Sequence, residues 1–89
     1  MAVYKIEIRR RTNCSLVKWY ARREDAASAY HEEVIDMIQN QGVKSIIGIN
    51  VLEEASRLAT GIRDGVTTTA CIELMGASVR FERNPERKL

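Results

Sequence analysis

Residues 24–42, EDAASAYHEEVIDMIQNQG, carry the clearest periodicity in the chain. Ala26, Ala27, Tyr30, Val34, Met37, Ile38 and Gln41 fall within one stripe about 120° wide on a helical projection, and all but the last are apolar or amphipathic. Glu24 and Asp25 stand where the free N–H groups of a first turn favour negative charge. Gly42 follows where a helix end calls for a left-handed residue. The spacing predicts a helix over 24–41 with Ala27, Tyr30, Val34, Met37 and Ile38 in the core.

Upstream, the period changes to two. Tyr4, Ile6 and Ile8 alternate with Lys5, Glu7 and Arg9, which reads as a half-buried strand within Val3 to Arg11. Thr12 to Ser15 form a turn, and Leu16 to Ala21 a second strand with Val17, Trp19 and Ala21 on one face. Alternation would put Arg10 on the side of Ile6 and Ile8. Either the strand ends by Arg9, or a bulge turns Arg9, Arg10 and Arg11 outward.

Downstream, Val43 to Ile49 is rich in β-branched residues and is expected to be a strand. Asn50 and Glu53 resemble a capping pair for a second helix, with Leu52, Ala55, Leu58 and Ala59 on its apolar side. That helix stops at Gly61 or runs on to Asp64, and Asp64–Gly65 reads as a turn. A closing hairpin follows. Val66, Thr68, Ala70, Ile72 and Leu74 share one strand face, Gly76–Ala77 sits near the bend, and Val79 and Phe81 return to the core. Asn84–Pro85 ends regular structure.

The expected fold class is therefore α+β, in the order β-β-α-β-α-β-β, with a mixed or antiparallel sheet and its helices on one face. Residues 1–84 form one small domain and residues 85–89 a flexible polar tail. Eighty-nine residues with 45% apolar content suit one thin core, and the size permits a homodimer that shares an apolar surface. No run is long and apolar enough for a membrane span. Cys14 and Cys71 lack motif spacing, so reduced thiols and a cytoplasmic location are expected, with Cys71 buried in its strand.

The charge is unevenly placed. Residues 1–23 hold seven basic residues against Glu7 alone, a local +6, and the remainder holds seven basic against eleven acidic residues. Five of those acids, Glu24, Asp25, Glu32, Glu33 and Asp36, belong to the first helix. A basic hairpin suits a phosphate backbone, with Trp19 or Tyr20 available for stacking. It equally suits solvated strand residues partly paired with the neighbouring acidic helix. A third reading sets it against an acidic protein surface.

Chemistry is sparsely signalled. His31 borders the apolar stripe and reads as a covering residue. Glu32 and Asp36 share a helix face without convergent ligands, and the cysteines lack a zinc spacing. The glycines are scattered singly, which is unlike a phosphate-cradling loop. No cofactor, metal or catalytic residue is expected.

From Tyr30 onward, Asn40–Gln41–Gly42–Val43 leading into Ile46, Ile47 and Ile49 slightly resembles the Alba-like nucleic-acid-binding fold. Arg22 and Arg23 match the basic pair such proteins place before the first helix. The sequence departs from that pattern at Val51 to Ala55, where Glu53 and Glu54 stand in place of a glycine and arginines, and in its extra opening strand. The resemblance implies nucleic-acid binding without carrying base contacts onto those residues.

The leading expectation is thus a non-enzymatic module that contacts DNA or RNA through Arg9, Arg10, Arg11, Lys18, Arg22 and Arg23, with Tyr20 stacking. The alternative is a small regulatory or adaptor protein that uses the same hairpin against an acidic protein surface.

Overall fold

Two β-hairpins bracket a pair of helices in the computed structural model, which describes residues 3–10, 14–41 and 46–84. In chain order the elements are β1 (Val3–Arg9), β2 (Ser15–Tyr20), α1 (Arg23–Gln41), α2 (Ile46–Asp64), β3 (Thr69–Leu74) and β4 (Ala77–Asn84). The strands form one antiparallel sheet in the order β2-β1-β4-β3, so the strands nearest the two chain ends lie at its centre. The α+β class expected from the sequence is the one the chain adopts.

Strand register sorts the side chains into two faces. Ile6 opposes Phe81, Ile8 opposes Val79, and Ile72 opposes Val79 from the other side. These residues, with Ala70, Leu74 and Ala77, are buried against Ala26, Ala27, Tyr30, Val34, Met37 and Ile38 of α1. The core expected for this helix is therefore the core observed. α1 crosses all four strands, whereas α2 packs along α1 and reaches the sheet only at β3. Phe81 anchors the layer, with Tyr4 stacked at 6.1 Å and Tyr30 edge-on at 6.4 Å between ring centroids. The Tyr30 hydroxyl donates to the Val79 carbonyl at 3.4 Å, and burial raises its pKa.

One expected element changes identity. The order is β-β-α-α-β-β, because Ile46 to Ile49 open α2 and do not form a strand. Residues 43–45, and with them Gly42, lie outside the described set. β-branched residues favour strands locally, but Gly48, Ala55, Ala59 and Ile62 are buried and Leu52 is half-buried, all in one helical phase. That longer phase overrides local propensity in a short apolar run. Asn50 consequently lies inside the helix and is not its cap. The resemblance to the Alba-like order depended on the missing strand and loses its structural basis.

α2 ends in a Schellman motif. Gly65, at φ 79°, donates to the Ile62 carbonyl at 3.1 Å, and Val66 donates to the Gly61 carbonyl at 2.9 Å. Thr67 shares the Gly61 carbonyl. These bonds hold Val66 and Thr67 to the helix, so β3 begins at Thr69 and not at Val66. The hydrophobic contact that often accompanies this motif is missing, since its partner position is Gly61, and Val66 is left 80% exposed. At the far end of β3, Met75 and Gly76 both adopt positive φ, 51° and 87°, as a two-residue type I′ hairpin requires.

Candidate binding surface at the first hairpin

β1 ends at Arg9, as the first of the two sequence alternatives has it. The Arg10 N–H donates to the Cys14 carbonyl at 2.9 Å and ties the two strands together beyond the last paired residues. Arg9 and Arg10 are exposed at this end, and no acidic side chain among the described residues forms an ion pair with either. Arg11 lies outside the described residues. Arg9 and Arg10 border an open cleft of about 350 Å³ between the sheet end and α1. Glu33, Asp36 and Asn40 face them across it, above Met37 and Val79.

The other expected contacts are placed differently. Lys18 opposes Ile6 and so faces α1, where its Nζ donates to Glu33 Oε2 at 2.9 Å. The hydrogen bond and charge of Glu33 hold the Lys18 pKa above its ordinary value. Tyr20 opposes Tyr4 and packs, half-buried, against the core. Arg22 and Arg23 stand beyond the other end of β2, with Glu24 carboxylate oxygens 3.6 and 3.9 Å from their Nε atoms. Six strand residues, about 20 Å, separate them from the Arg9 end. The basic segment is therefore divided into a cluster at each end of β2, with a neutralised lysine between.

The uncovered sheet face completes the electrostatic picture. Lys5 opposes Glu82 and Glu7 opposes Arg80, so charges alternate across the central strands. Lys5 also lies 5.9 Å from the Trp19 ring, a cation–π distance. Arg9 stands at the edge of this face, where its strand partner is Ser78 and not an acid. Two neighbours of the arginines escaped the sequence reading as contact residues. Leu16 and Val17 are large apolar side chains left 44% and 39% exposed on β2. Leu16 opposes Ile8 on the helix side but lies at the strand end, and Val17 opposes Glu7 on the uncovered face, so neither is covered.

Away from the hairpin, His31 Nε2 lies 3.1 Å from Ser56 Oγ, in a groove of about 310 Å³ between the helices. Ser28, Thr60 and Arg63 line the same groove. Ser56 sits mid-helix, where backbone N–H groups are committed to helical bonds, and no free pair flanks it to hold an oxyanion. Cys14 and Cys71 are unpaired and exposed, which corrects the expectation that Cys71 is buried. β3 is an edge strand, and register turns that thiol to the uncovered face. Among the described residues, no group of three or more His, Cys, Asp or Glu side chains could hold a metal ion, and no helix is long and apolar enough to cross a membrane.

Compared with protein-family models, curated proteins and solved structures, the chain matches none.

Proposed function

We propose that the chain is a cytoplasmic, non-enzymatic binding module whose contact is the Arg9–Arg10 end of the β1–β2 hairpin, directed at the phosphate backbone of DNA or RNA. The observation that supports this reading is the contrast among the basic residues. Lys18 is held by Glu33 and Arg22 and Arg23 flank Glu24, while Arg9 and Arg10 project without an acidic partner among the described residues. Guanidinium groups so placed suit bidentate phosphate contact. Recognition is of backbone, since the described residues at this end offer no element that reads base edges.

Fluorescence anisotropy of a labelled generic oligonucleotide, titrated across salt concentrations, tests the proposal. Each phosphate-contacting arginine contributes about 0.9 to the slope of log affinity against log salt on a duplex. The double variant Arg9→Ala/Arg10→Ala should therefore flatten that slope by about two. Arg22→Ala/Arg23→Ala should change it less. Absence of association at low salt overturns the reading.

A second reading has its own supporting observation. Exposed Leu16 follows Ser15, the strand partner of Arg9, and an apolar side chain beside cationic ones suits an acidic protein surface. Leu16→Ser separates the two, because it weakens a protein contact and leaves phosphate binding unchanged.

A further inference from the structure

The sheet has a second edge, and its chemistry is unlike that of the first. β3 pairs only with β4, so one side of its backbone has no strand partner. Which groups point outward follows from the turn. In a two-residue hairpin the flanking pair, Leu74 and Ala77, exchanges hydrogen bonds, and every second pair after it does the same. Ile72 and Ala70 thus bond inward, in keeping with the Arg83 N–H that donates to the Thr68 carbonyl at 2.9 Å. Thr69, Cys71 and Glu73 are left with N–H and C=O directed away from the sheet.

We propose that this edge joins two copies of the chain, β3 against β3, antiparallel about a two-fold axis at Cys71. This register alone engages all three outward residues of both copies. Cys71 faces its equivalent, and Thr69 of each copy faces Glu73 of the other, so no like charges meet. A shift that centres the axis on Glu73 sets two carboxylates opposite each other, which is unfavourable. The same symmetry brings together the two ends of β3 that carry exposed apolar residues. Val66, 80% exposed, precedes β3 and Met75, 58% exposed, follows it, so antiparallel pairing turns the Val66 end of one copy toward the Met75 end of the other. The β2 edge does not offer this, because antiparallel self-pairing there brings Arg9 and Arg10 of each copy toward Arg22 and Arg23 of the other. The inference is independent of the phosphate-binding reading, which concerns the opposite edge of the sheet.

Three measurements on the full chain test it. Sedimentation should give a mass twice the 10.1 kDa of the monomer. Hydrogen-bonded residues in antiparallel strands stand about 5.5 Å apart between Cα atoms, within disulfide range. Diamide, which takes up the two thiol hydrogens as the S–S bond forms, should therefore link Cys14→Ser protein covalently through Cys71. Cys71→Ser protein should give no such link at the same rate. Thr69→Glu, facing Glu73 twice, should weaken association roughly two- to thirtyfold, and Thr69→Lys should tighten it. Circular dichroism of both variants verifies that the monomer fold is intact. A monomeric mass up to the solubility limit overturns the proposal. So does a dimer in which Cys71 fails to cross-link, or in which Thr69→Glu and Thr69→Lys shift association alike.

Discussion

The two hairpins are built from the same parts and come out as opposites. β2 and β3 are both six-residue edge strands, each antiparallel to a central strand. Yet β3 alternates cleanly between exposed and buried positions, whereas no residue of β2 is fully buried. The cause is the helical layer. α1 crosses both strands, but α2 reaches the sheet only at β3 and leaves β2 under a single helix. Cover on β3 makes it a stability element. Its lack on β2 leaves cationic and apolar side chains available to a partner, with one lysine bound back to α1.

The contrast breaks most visibly in the core. Ile72→Ala on β3 should cost about 2–5 kcal/mol, read as a lowered urea midpoint. The turn comes next. Gly76→Ala forces a side chain into positive φ and should cost on the order of 1 kcal/mol, while Met75→Asn, better suited to a type I′ position, should raise the thermal midpoint. Lys18→Met tests the ion pair between β2 and α1, partly exposed and worth under about 1 kcal/mol. Because the folded-state Lys18 pKa is raised, its contribution is complete below the ordinary lysine value and is lost as pH rises through the folded value. The difference between wild type and Lys18→Met, followed by denaturation at rising alkaline pH, should hold to about pH 10 and then shrink. Smallest of all, Leu16→Ser should change stability by no more than about 0.5 kcal/mol, as expected of a surface site. A large loss there would show that β2 is better covered than its exposure implies.

Much of this was legible in the sequence because the signal was long. The helix across Tyr30, Val34 and Met37 repeats for five turns, and the alternation of Ala70, Ile72 and Leu74 survives in the folded strand. Short signals misled. Val43 to Ile49 reads as a strand because so short a run cannot distinguish propensity from the phase of a helix that begins at Ile46 and continues past Ile62. Val66 looked like strand because nothing local shows that its N–H is taken by Gly61. At the hairpin, the arginines were visible as a cluster, but their sorting was not. Whether Lys18 meets Glu33 or solvent depends on which strand face lies under α1, a fact that only pairing with Ile6 supplies. Tyr20, offered as a stacking residue, packs with the core for the same reason.

The central position of β1 and β4 has a consequence for how the chain is made. Val3 pairs with Asn84 and Arg9 with Ser78, so the middle of the sheet joins the two most distant described segments. During synthesis the first hairpin and both helices emerge before the strand that completes their layer. Until then β1 keeps one open strand edge, and Ile6 and Ile8 lack their partners Phe81 and Val79. Such long-range closure slows folding and prolongs the interval in which apolar edges are open to other chains. The nascent protein is accordingly most vulnerable to aggregation just before residues 78–84 clear the ribosome.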